Sequence, residues 1–222
     1  MDISHLQRAF QLPLNQGEFR ELDIYIRKTA DEARFMSPAP RESAVLILLH
    51  LIENKPHLLL IKRPIYAGVH SGQMAFPGGK REQSDKSLLD TAIREVHEEL
   101  GILIELHNSF FALRELYIPP SHFLVQPYIC FLNQLPPVKP NHEVAHIIQL
   151  PVEHLLQKEI ITQHEIEIFP TKELRTVPAI AFDNHYIWGA TAMMLYEIRT
   201  RLLSIREPNE SSIVPPKKEI LK

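Results

Sequence analysis

Between Gly78 and Ile102 the chain reads GGKREQSDKSLLDTAIREVHEELGI, a glycine turn followed by an amphipathic helix whose second face is acidic. At about 100° per residue, Glu95, Glu98 and Glu99 fall within an arc of roughly 100°. Leu89, Ala92, Ile93, Val96 and Leu100 occupy the adjacent arc, so one face packs into a core while the next presents acids. Carboxylates at i, i+3 and i+4 cost a helix a few tenths of a kcal/mol per pair. Such a cluster is rational if a hard divalent cation, Mg2+ or Mn2+, takes oxygen ligands from it. The alternative is a solvated acidic face. The preceding loop weighs against it: Gly78 and Gly79 allow a sharp turn and close approach to a ligand, and Gly79 has a carbonyl to offer the same cation. Asp85 or Ser87 is placed to cap the helix, Arg94 to orient the glutamates, and Gly101 to end it.

These residues resemble the box of the Nudix hydrolases, G-x5-E-x7-R-E-U-x-E-E-x-G-U, where U is a bulky aliphatic residue. Gly79 opens the match and residues 94 to 102 fit throughout, with Arg94, Glu95, Glu98, Glu99 and Gly101 at the fixed positions. Asp85 stands where the first Glu belongs, and one extra residue separates it from Arg94. Both departures are typical of the coenzyme A pyrophosphatase branch. The upstream segment LLLIKRPIYAGVHSGQMAFPGG is similar to that branch's signature, L-L-T-x-R-[SA]-x3-R-x3-G-x3-F-P-G-G. Leu59, Leu60, Arg63, Gly72, Phe76, Pro77, Gly78 and Gly79 match, and His70 and Gln73 fit an H-x-G-Q found in many members. Ile61 replaces Thr, Pro64 replaces Ser or Ala, and Gly68 replaces the second Arg, removing a natural phosphate partner. Lys62, Arg63, Lys80 and Arg81 are replacement cations.

The resemblance implies an α/β/α sandwich with a mixed β-sheet between helices. It also implies metal-dependent cleavage of the pyrophosphate of coenzyme A or its thioesters, giving 3′,5′-ADP and a 4′-phosphopantetheine product. Another nucleoside diphosphate derivative, such as ADP-ribose or a dinucleotide, is the alternative substrate; a non-catalytic nucleotide sensor is a third reading, opposed by the three retained glutamates. The implied metal ligands are Gly79, Glu95, Glu98 and Glu99. Glu98 and Glu95 are candidate bases, as is Glu143, which stands where several relatives place a loop glutamate. Arg63, His70, Gln73, Phe76, Pro77, Ser121 and His122 are the candidate substrate contacts, and Arg94 and Asp85 the structural members of the box. Frequent homodimers among the relatives imply a second subunit as one partner.

Composition fits this reading. Of 222 residues, 45% are hydrophobic and 23% charged, as in ordinary globular proteins. A formal net charge of -3 offers no footprint for nucleic acid or an anionic membrane. The longest apolar run, residues 44 to 52 and broken by His50, falls well short of the roughly 20 needed for a span. No charged-then-apolar leader is evident, and the one cysteine, Cys130, excludes an internal disulfide. A cytoplasmic location and a buried structural thiol are expected.

The chain divides into a helical extension over residues 1–36, a hydrolase domain over 37–206 and a flexible tail over 207–222. Phe19, Leu22, Ile26 and Ala30 give the extension an apolar stripe that must pack on the core or on a second subunit. Strands are predicted over residues 43–51, 57–62, 110–117, 123–132, 144–150, 160–169 and 177–182, with a hairpin at 53–56. Helices are predicted from about residue 86 to 100, for about seven residues from Pro151, and over 189–205.

Overall fold

A computed structural model describes residues 3–13, 28–105 and 107–205. Its centre is β1 (Arg41–Ile52), an almost uninterrupted apolar strand. Such a strand is buried on both faces, and its residues divide accordingly. Val45, Ile47 and Leu49 face one core cluster, while Ala44, Leu46 and Leu48 face another. The same alternation continues in β2 (Lys55–Lys62), with Leu58 and Leu60 on the first side and Leu59 and Ile61 on the second.

β1 runs antiparallel to β2 and parallel to β7 (Phe123–Leu132), so the sheet is mixed. β8 (His146–Pro151) extends it beyond β2, and β3 (Met74–Ala75) pairs with the end of β2 on the edge shared with β1. β5 (Phe110–Ala112) and β6 (Leu116–Ile118) pair with β7, and β4 (Gly78–Lys80) pairs with the first half of β1. A separate antiparallel sheet holds β9 (Ile161–Ile168), β10 (Glu173–Phe182) and β11 (His185–Trp188).

Helix α3 (Leu88–Leu100) covers one face of the large sheet through Ala92, Val96 and Leu100. On the other face lie α1 (Ile3–Gln11), α4 (Val152–Leu155) and α5 (Gly189–Ser204). The short α2 (Ala30–Arg34) closes the end of the sheet against Tyr117 and Leu124. This is the expected sandwich of helices around a mixed sheet. No helix among the described residues is long and apolar enough to cross a membrane.

Several differences from the predicted elements have local causes. The strand expected over 110–117 is two short strands, because Pro127 in β7 has no N–H to give its neighbour. The Leu113 carbonyl instead accepts from the Gln126 side-chain amide at 2.9 Å, and the Arg114 N–H turns to the Glu197 carboxylate at 3.0 Å. The expected four-residue hairpin is a two-residue turn: Glu53 and Asn54 both have positive φ, and pairing resumes at Ile52–Lys55. Asp183 and Asn184 make a second such turn, which creates β11, a strand with no counterpart in the prediction. Helix α3 starts at Leu88 rather than near residue 86, because Ser87 is the cap, its Oγ accepting from the Asp90 N–H at 3.1 Å. Pro151 precedes a helix of only four residues.

The stripe residues Phe19, Leu22 and Ile26 lie outside the described residues. Farther upstream, α1 packs on the chain's own core, with Phe10 edge-on to Phe131 (centroids 5.4 Å apart) and near Phe111. Cys130 is fully buried, and burial pushes its thiol up to about 12. At pH 8, dithiobis(nitrobenzoate) is therefore expected to leave the native protein unmodified while titrating one thiol per chain in denaturant. Rapid labelling of the native state would contradict the burial.

Candidate functional site

A cleft of about 1030 Å3 runs along β1, over β4, and opens beside α3. Its polar end is built by the tight approach of β4 to β1. A Cβ at Gly78 would overlap the Ala44 carbonyl and Val45, and one at Gly79 would overlap the Glu95 carboxylate. Gly78 therefore requires glycine for space, whereas a side chain at 79 would displace the Glu95 carboxylate, which lies directly against the residue 79 backbone.

Asp85 and Arg94 fasten the loop to the helix. The Arg94 fork donates to both Asp85 oxygens at 3.0 Å, to the Lys80 carbonyl at 3.0 Å, to Glu95 at 2.9 Å and to Glu98 at 3.1 Å, using all five of its N–H groups. Asp85 also accepts from the Glu82 N–H and the Thr91 hydroxyl, both at 2.9 Å. The Arg94 guanidinium is the main reason its carboxyl is lowered to about 2. So Asp85 organises the loop and Ser87 caps the helix.

The three glutamates have unlike surroundings. Glu98 is half exposed, whereas Glu99 is 2% exposed and accepts the Gly78 N–H at 3.0 Å from beneath the cleft floor. Burial pushes Glu99 up to about 7; Arg63 and the Gly78 N–H oppose the shift, while Glu95 and Glu143 add to it. Burial also raises Glu95, with Arg94 opposing.

Glu143 reaches the same end from a loop stapled to the last turn of α3. Helix ends leave carbonyls without intrahelical partners. Here the Glu99 and Leu100 carbonyls accept from the Asn141 and Lys139 N–H groups at 2.9 and 2.7 Å. Glu143 lines the cleft with Glu95 and Glu98.

Of the predicted substrate contacts, Arg63, His70, Gln73, Phe76 and Ser121 line the cleft. The His70 Nδ1 and Gln73 Oε1 form a 3.0 Å hydrogen-bonded pair, and burial lowers the His70 pKa. Two others stand elsewhere. Pro77 is buried beneath the loop, where its carbonyl accepts the Leu46 N–H at 2.9 Å. His122 is not among the lining residues: its ring nitrogens are held by the Tyr117 hydroxyl at 2.9 Å and the Pro38 carbonyl at 3.0 Å.

Arg41, Phe169, Trp188, Thr191 and Met194 complete the walls and were not among the expected contacts. They enter through strand pairing and through α5, whose Thr191 hydroxyl donates to the Met74 carbonyl at 3.0 Å.

A glycine-bounded loop, an acid helix and a cleft between them on a mixed sheet define a Nudix-type hydrolase site. Residues 40–187 match the NUDIX domain family, and the chain belongs to it. It is 33% identical over 160 residues to the mitochondrial coenzyme A diphosphatase NUDT8 of Homo sapiens, covering 70% of this chain and 66% of that protein, just under two thirds of its length. It is 29% identical over 194 residues to the uncharacterized Nudix hydrolase NudL of Yersinia pestis (strain Pestoides F), covering 87% and 91%. Among solved structures, a MutT/nudix family protein from Enterococcus faecalis superposes with a TM-score of 0.54 at 14% identity, covering 92% of this chain and 75% of that one. The NUDIX domain of Shewanella oneidensis NrtR, crystallised with ADP ribose, gives 0.52 at 14%, covering 79% and 99%. At such identity the two structures speak to the fold alone.

Nudix hydrolases use divalent metal ions. The donor types here, carboxylates and a main-chain carbonyl, suit a hard cation. The Glu95 carboxylate packs against the backbone at Gly79, where a side chain would displace it. Among the described residues no three acidic, histidine or cysteine side chains converge on one point. Arg94 Nη1 stands between Glu95 and Glu98, supplying the positive charge they share, and Glu99 is turned to the Gly78 N–H.

Proposed function

We propose that this Nudix pyrophosphate hydrolase cleaves coenzyme A or its thioesters. The observation that carries the reading is that residues of the signature segment between Arg63 and Gly79 form a wall of the cleft that also holds Glu95, Glu98 and Glu143. Similarity to a coenzyme A diphosphatase points the same way. Gly68 also lines the cleft, without a side chain, and this favours the second reading, another nucleoside diphosphate derivative such as ADP-ribose.

Gly79, Glu95, Glu98 and Glu99 are the residues proposed to hold Mg2+ or Mn2+. A cation bound there neutralises non-bridging phosphate oxygens and acidifies water. The remaining work belongs to the chain. Arg63 and Lys80, both lining the cleft, set positive charge against the diphosphate. Glu98, Glu95 or Glu143 accepts the proton of the attacking water. The Asp85–Arg94 fork holds the first two acids in register with the loop. We further propose a cytoplasmic protein, with a second copy of the chain as a partner.

A substrate panel with Mg2+ and with Mn2+, its products identified by mass spectrometry, tests the reading. Coenzyme A is expected to exceed dephospho-coenzyme A and ADP-ribose in kcat/KM, by about tenfold if one charged hydrogen bond separates them. A preference for ADP-ribose would transfer the enzyme to the second reading.

A further inference from the structure

Arg41 opens β1 and is the parallel-register partner of Phe123 at the start of β7. Its guanidinium lies over the Phe123 ring, 4.1 Å from the centroid, and donates one hydrogen bond to the Ser121 carbonyl at 2.9 Å. That is the only hydrogen bond of this side chain among the described residues, so most of its five donors remain for a ligand. Beside it, the Ser121 hydroxyl is buried without a hydrogen-bond partner, in a residue 8% exposed. An unsatisfied buried hydroxyl is costly, and a ligand oxygen removes the cost. Arg41 and Ser121 both line the cleft.

Their place relative to the acid end follows from strand register. Ala44 is level with Gly79, and Arg41 is three residues away along β1, about 10 Å at strand rise. Arg41 and Gly79 line the same cleft. A nucleotide whose diphosphate lies over Gly79 therefore brings its ribose within reach of Arg41.

We propose that Arg41, with the Ser121 hydroxyl, forms a second anion subsite that takes a phosphomonoester on the ribose of the nucleotide, apart from the diphosphate that is cleaved. The inference rests on the substrate class proposed above. It supplies from β1 a cation that the wall at Gly68 lacks. A purely structural Arg41, bracing Phe123 and the turn before it, would have no preference between ligands, and this separates the two roles.

The test is calorimetric titration of the full chain with adenosine 3′,5′-bisphosphate and with 5′-AMP. Wild type is expected to bind the bisphosphate about tenfold to a hundredfold more tightly, the range of a charged hydrogen bond. Arg41→Met, which keeps apolar contact with Phe123, is expected to bring the two affinities within about twofold while leaving that for 5′-AMP unchanged. Arg41→Lys restores part of the ratio, because a point charge lacks the planar fork. Ser121→Ala lowers it about threefold and carries the test if Arg41→Met does not fold. A wild-type ratio near one overturns the proposal, as does a ratio retained in Arg41→Met, or in Ser121→Ala where that variant stands in. Failure to cleave coenzyme A despite an intact bisphosphate preference sinks the proposed substrate and leaves the subsite standing.

Discussion

Glu98→Gln and Glu99→Gln are each expected to lower kcat by orders of magnitude under saturating Mg2+ while leaving the metal-free protein folded. Glutamine keeps the size and helix propensity of glutamate but removes one charge from the group proposed to hold the cation. Interactions that strengthen only in the transition state are lost from kcat rather than from binding. The two sites differ in their effect on stability. Glu98 is half exposed and its bond to Arg94 is an i, i+4 surface pair, worth a few tenths of a kcal/mol. Glu99 is buried, and burial disfavours its charged form; a neutral amide still offers an oxygen to the Gly78 N–H. Metal-free melting temperatures should therefore be unchanged for the first variant and unchanged or raised for the second. Excess EDTA should abolish wild-type turnover, with Mg2+ or Mn2+ restoring it. Near-normal kcat in both variants would mean that the acidic face is merely solvated.

The parts of this architecture that could be read in advance are those whose cause is local. Residues 44 to 49 are apolar without a break because β1 is buried on both faces, and that pattern needs no knowledge of its partners. Likewise the acid stripe of α3, its glycine stop and the paired glycines before it are consequences of helix period and turn geometry. What escaped depends on distant residues. Nothing in Met74-Ala75 or Gly78-Gly79-Lys80 alternates; these become strands only because the edges of β2 and β1 are free to receive them. Phe111 and Leu116 look like one strand until Pro127, on the strand opposite, withholds a donor. Glu95, Glu98 and Glu99 look equivalent on a helical wheel, yet β4 takes Glu99 through the Gly78 N–H, presses on Glu95 at Gly79 and leaves Glu98 half exposed. His122 is a plausible phosphate contact in a loop, but Tyr117 and Pro38 take both ring nitrogens. Arg41 carries no motif and reaches the cleft only through its register with Phe123.

Asp85→Asn is expected to destabilise the fold strongly. The Asp85 side chain is 5% exposed and accepts four hydrogen bonds, two from the Arg94 fork, one from the Glu82 N–H and one from the Thr91 hydroxyl. An amide presents one acceptor and turns an N–H group toward donors, leaving the guanidinium short of a partner in a largely buried position. Breaking a buried pair from one side costs about 3 kcal/mol or more, a fall of roughly 6 to 12 °C in melting temperature for a chain of this size. The pH dependence has a definite sign. Asp85 is held at about 2, below its ordinary 3.8, so the unfolded state binds the more protons between those values. Its contribution is full above about pH 4 and is lost as pH falls through 2. The gap in stability between wild type and Asp85→Asn should thus be widest near neutrality and narrow progressively below pH 4. Denaturant titrations at pH 7 and pH 3 measure both quantities. A variant within 2 °C of wild type at pH 7, or a gap independent of pH, would show that Arg94 is held by Glu95, Glu98 and the Lys80 carbonyl without help from the fork.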